Sequence, residues 1–180
     1  MVACARSAGG GEQEQIFFFM PGEVEYVAGR IAISASEFID RFCHIIPVGS
    51  NTVYLLRGGT CPFLNAAGRT CDLEGNGSKP LSCLTYPAMI GCPGDARRVW
   101  IDDIDCPMAH RVSAEFTQKA LGLLECLREQ LPNWWLEFNL EHGWPPYDYE
   151  KLTAMKGRKV ISVEDLRHCQ SRPYTPGKPD

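Results

Sequence analysis

Between two strand-like segments, "NTVYLLR" (51–57) and "RRVWID" (97–102), lies a stretch that sharply limits how this chain can fold. It reads "GTCPFLNAAGRTCDLEGNGSKPLSCLTYP" from 59 to 87 and continues as "AMIGCPGDA". Its glycines and prolines break any helical or alternating pattern over about forty residues, and unstructured connections of that length are uncommon inside compact domains. Something other than regular backbone pairing is therefore expected to order it. The same stretch carries Cys61, Cys71, Cys83 and Cys92, and Cys106 follows the second strand, so five of the nine cysteines fall within 46 residues.

Zinc and iron–sulfur centres need several convergent thiolates, and irregular loops often present them because turns can aim them at one point. Cys61, Cys92 and Cys106 each precede a proline, which favours an extended cysteine and stiffens the turn after it. The spacings, ten residues from Cys61 to Cys71 and twelve on to Cys83, match no zinc-finger or ferredoxin knuckle. Spacing alone thus leaves a shared metal and the burial of small apolar thiols as equal readings. Cys43 and Cys126, on expected helices, read as buried apolar residues, and Cys169 as a surface or packing thiol.

The compartment bears on this choice. With 44% hydrophobic and 22% charged residues over 180 positions, the composition is that of an ordinary globular chain. A net charge of −4 gives no footprint for nucleic acid or anionic lipid. The apolar run "IFFFM" (16–20) is too short for a signal peptide core or a membrane span. The expectation is a cytoplasmic protein, with no membrane association. Its thiols would stay reduced there, and an odd cysteine count suits a disulfide framework poorly. No partner is indicated, and a protein partner stays open.

The expected fold class is α+β: a flexible leader at 1–15, one cysteine-cluster domain at 16–168 and a disordered tail at 169–180. Within the domain, 57–110 is the metal-organised loop region and 111–168 the helical part. "IFFFM" reads as a short buried strand. Val24, Val27 and Ala28 share one face of a first helix, and Ser34 with Glu37 forms a capping-box pattern for a second through Phe38, Ile39 and Phe42. Apolar residues from Val112 to Leu131 keep helical spacing, Pro132 admits another helix at "NWWLEFNLEH", and Ser162 with Asp165 caps a last one through Leu166. The aromatic residues Trp134, Trp135, Phe138, Trp144, Tyr147 and Tyr149 read as packing.

"GTCPFL", "GRTCDLE", "KPLSCLTYP" and "DCPMA" together resemble the YkgJ-like cysteine-cluster family, described as a zinc- or iron-chelating CxxCxxCC domain. "FFFMPGEVEYVAGRIAISASEF" is similar to the segment that precedes those cysteines in the family, so the resemblance spans about residues 16–110. It implies Cys61, Cys71, Cys83 and Cys106 as ligands and zinc or an iron–sulfur cluster as cofactor. The chain departs from the pattern in having only Cys4 where the family has its N-terminal cluster, Lys79 for the usual arginine and Leu84 for a basic residue. "LEGNGS" reads as a small insertion.

Cys92, Cys4 and His110, four residues after Cys106, are secondary ligand candidates. Arg57, Arg69, Lys79, Arg97 and Arg98 could offset thiolate charge or simply be solvated. "DDID" (102–105) reads as a charged loop. The family resemblance also extends to flagellin lysine N-methylases, which implies an alternative: S-adenosylmethionine-dependent transfer to a protein lysine. No glycine-rich strand-to-helix turn supports it, and no catalytic set is apparent. A thiol redox protein is a further alternative, without a CxxC motif to mark it.

Overall fold

The computed structural model describes residues 18–57, 61–63, 65, 71–74, 77–92, 94–101, 112–143, 148–155 and 157–170. The expected leader, the "DDID" run, Arg69, Trp144, Tyr147 and the tail from 171 onward lie outside them.

Helices and two small antiparallel sheets make this an α+β fold. After the extended residues 18–20 come α1 (Glu23–Arg30), α2 (Ala35–Phe42), β1 (Cys43–Val48) and β2 (Asn51–Leu56). Then follow α3 (Leu81–Thr85), β3 (Ala88–Cys92), β4 (Asp95–Ile101), α4 (Ala114–Arg128), α5 (Asn133–His142), α6 (Tyr149–Ala154) and α7 (Val163–His168).

Residues 18–20 of the run "IFFFM" are all apolar because both faces of this segment are covered. Phe18 bridges Leu55 antiparallel, and the Phe19 amide donates to the Tyr54 carbonyl at 2.9 Å, so the segment lies along β2. Side chains alternate across a strand. Phe18 and Met20 therefore enter one core with Val53, Leu55 and Ile46, while Phe19 enters another with Cys43, Phe38 and the buried face of α1. The β1–β2 hairpin is a partition between two apolar clusters, which explains its near-continuous hydrophobicity.

The first cluster is completed by α4, α5 and α7, through Leu124, Trp135, Leu136, Phe138 and Leu166. Phe138 meets Phe18 edge-on at 5.0 Å, and the Trp135 indole donates to the Phe19 carbonyl at 3.3 Å. The outer edge of β1 is extended by Ile45, whose amide and carbonyl bond to Lys159 and Ile161. The second cluster gathers Val24, Val27 and Ala28 of α1, Phe38 of α2, Phe63 and Leu73.

Ser34 caps α2 as expected, accepting from the Glu37 amide at 3.1 Å, while the Glu37 carboxylate accepts from Arg41; at Ser162 both halves of the box with Asp165 form. Four elements differ from expectation, one of them α6, where no helix is expected. Cys43 opens β1 rather than closing a helix, because α2 ends at Phe42. "AMIGC" is strand β3: a bulge between Ile90 and Cys92, with Gly91 at φ 86°, absorbs the irregularity. The Asn139 amide and Trp100 indole donate to the carbonyls of Ile90 and Gly91 there, at 2.9 and 2.7 Å. "LSCLT" is the one-turn helix α3, so the irregular stretch is shorter than its composition suggests. The chain also stays packed through Cys169, which is buried, and Gln170, which meets His142.

Candidate metal site

Cys61 and Cys71 are both half-buried and pack against the second cluster, beside Phe63 and Leu73. The Asp72 amide donates to the Phe63 carbonyl at 2.7 Å, so the backbones at 61–63 and 71–73 run side by side. Phe63 supplies the anchor: its ring stacks on Phe38 at 6.0 Å and tilts against Phe42 at 5.0 Å. Glu74 then turns back, its amide donating to the Cys71 carbonyl at 2.9 Å.

Residues 77–81 are held by α1. The Tyr26 hydroxyl donates to the Gly77 carbonyl at 2.8 Å. Gly77 has φ +70°, and a β-carbon there would stand 3.1 Å from the Arg30 guanidinium, so both the backbone and the close approach favour glycine. Ser78 is fully buried, with its hydroxyl directed to the Leu73 carbonyl at 3.4 Å. Lys79 is buried with its ammonium 3.8 Å from Glu74.

Glu23 closes this arrangement. Its carboxylate, 6% exposed, accepts the Met20 amide at 2.9 Å and the Leu81 amide at 2.5 Å. Leu81 is the first residue of α3, and the preceding Pro80 offers no side-chain cap. Burial pushes the Glu23 carboxyl above the ordinary glutamate value, and the two amide bonds pull it back.

Cys83 lies on α3 and is exposed, whereas Cys92 is buried at the end of β3. Cys4, Cys106 and His110 lie outside the described residues. Among the described residues, no three Cys, His, Asp or Glu side chains are gathered closely enough to hold a metal ion. The described chain therefore brings Cys61 and Cys71 to one cluster but does not gather Cys83 or Cys92 with them into a group of three. Two soft thiols on adjoining backbones suit a zinc or iron–sulfur donor set, and a full set needs ligands beyond that pair.

The remaining thiols behave differently. Cys43 is fully buried in the second cluster, and burial pushes its pKa up to about 12 against the pull of Arg57. Cys169 is buried against the Met155 sulfur at 3.9 Å, and burial raises its pKa too. Cys126, expected inside, is exposed on α4: the buried positions of that helix are Ala120 and Leu124.

Two buried histidines were not singled out by the sequence. His44 Nδ1 lies 2.6 Å from the Arg158 carbonyl, which can only accept, so that nitrogen carries the proton. Burial holds its pKa below the ordinary histidine value, opposed by that bond and aided by Arg57. His142, 1% exposed, has Nδ1 3.3 Å from the Gln170 amide nitrogen; burial lowers its pKa against the pull of Glu141. Their low exposure is a product of tertiary packing and leaves no local sequence signal.

No helix among the described residues is long and apolar enough to cross a membrane. Compared with protein-family models, with curated proteins and with solved structures, the chain gives no match.

Proposed function

We propose that this chain is a metal-binding protein of YkgJ-like type, in which Cys61 and Cys71 form the anchored half of a zinc or iron–sulfur site. Cys83 and Cys106 supply the other half, with Cys92, His110 and Cys4 as substitutes. The observation that carries this reading is the placement of Cys61 and Cys71 on one apolar cluster by Phe63 and by the bond between Asp72 and Phe63. Two thiols in a rigid setting lower the entropy cost of recruiting further ligands from less regular chain.

Bound metal would supply cross-linking between the two sides of the irregular stretch, and its binding energy would also be folding energy. The thiolates must be deprotonated to bind, which suits a reducing cytosolic setting. Zinc and iron–sulfur share this donor set, and colour separates them.

Metal analysis of protein purified with and without air tests the proposal. One zinc per chain in colourless protein, or iron with sulfide and visible absorption in anaerobic protein, supports it. Loss of that metal is expected in Cys61→Ser and Cys71→Ser, and retention in Cys126→Ser. Wild-type protein without stoichiometric zinc or iron from either preparation overturns it.

A further inference from the structure

We infer that Glu23 is the positioning residue for Cys83: a carboxylate on α1 that caps α3 from across the chain and fixes where its thiol stands. This rests on the metal-binding reading for its consequence, though its geometry stands independently.

A helix begins with amide groups that have no internal partner, and these are usually met by a side chain just before the helix. Proline at position 80 cannot provide one. Glu23, 58 residues earlier, does so by accepting the Leu81 amide at 2.5 Å. Its other oxygen accepts the Met20 amide at 2.9 Å, so one buried group ties the extended residues 18–20, α1 and α3 together. Val24, the next residue, is fully buried in the cluster on which Cys61 and Cys71 pack. Cys83 is two residues beyond the anchored Leu81, a span of at most about 7 Å of chain. The latch thus restrains Cys83 relative to the frame that carries the other two thiols.

A carboxylate–amide bond in a buried setting is worth enough that its loss should raise local opening about tenfold or more. The test compares wild type, Glu23→Gln and Glu23→Ala with Ile161→Val, a buried substitution in the other cluster. Amide hydrogen exchange is read on metal-free protein, and zinc release to a chelator on zinc-loaded protein. Faster exchange at Met20 and at residues near 81–85 in both Glu23 variants, but not in Ile161→Val, is expected. Zinc release should accelerate in the same order, Ala beyond Gln, while Ile161→Val releases at the wild-type rate. Unchanged exchange at Leu81 overturns the latch, and faster exchange with unchanged zinc release overturns the positioning role. If the wild type binds neither zinc nor iron, the metal reading falls, and the positioning role falls with it even where exchange reveals the cap.

Discussion

The Glu23 carboxylate and the Leu81 amide, 58 residues apart in sequence, meet at 2.5 Å in a buried setting and join α1 to α3. This single contact ties the "MPGE" turn to "KPLSC", two segments with no local reason to meet.

Glu23 carries a pH signature. Its pKa in the folded chain is raised by burial, so on raising the pH the unfolded chain releases its proton first. Its stabilising contribution is full below the ordinary glutamate value and declines as pH rises through the folded value. The stability difference between wild type and Glu23→Gln, from urea denaturation across a pH series, should therefore shrink with rising pH in that window. A difference that widens there would contradict the burial assignment.

The buried histidines act with the opposite sign. His44 and His142 both have depressed pKa values, so on acidification the unfolded chain takes up protons first. Stability should be full above the ordinary histidine value and fall below it, with a slope of at most about 1.4 kcal/mol per pH unit for each histidine. Thermal denaturation of His44→Asn and His142→Gln should give shallower acid slopes than wild type. Parallel slopes would mean that neither histidine is buried in its neutral form.

Phe63 should be the mechanical anchor of the cysteine-bearing segment. Its ring is buried against Phe38 and Phe42, and Phe63→Ala is expected to cost about 3 kcal/mol, with Phe63→Leu costing less than half of that. Chemical denaturation measures the loss. Limited proteolysis should show new cleavage first between Cys61 and Cys71, and cleavage beginning elsewhere would assign the anchor to another residue.

Thiol reactivity should separate the cysteines by environment. With a pKa of about 12, Cys43 is thiolate in only about one molecule in ten thousand at pH 8, and its side chain is also covered. Brief alkylation of the native protein, read by peptide mass spectrometry, should label Cys126 and spare Cys43 and Cys169. Labelling of Cys43 at the rate of Cys126 would place it at the surface.

Local rules made several elements readable. Ser34 and Ser162 mark helix starts because a hydroxyl can meet an unpaired amide within one turn, and α1 shows its buried face in the spacing of Val24, Val27 and Ala28. The α3 start was not readable, because its cap comes from Glu23 rather than from position 80. Strand β3 was hidden because Gly91 in "AMIGC" resembles a loop until side chains from Asn139 and Trp100 meet the carbonyls at its bulge. Cys126 was misplaced because one apolar thiol on a helix does not reveal which face its neighbours cover.

By itself the sequence determined the α+β class, the helix starts at Ser34 and Ser162 and the concentration of thiols in one glycine- and proline-rich stretch, since each depends on chemistry within a few residues. Only the tertiary structure decided that the β1–β2 hairpin divides two cores, that Phe63 brings Cys61 and Cys71 to one of them, and that Glu23 anchors the helix bearing Cys83. The reason is physical: burial and long-range hydrogen bonds depend on which surfaces meet, and that choice is made by the whole chain packing at once.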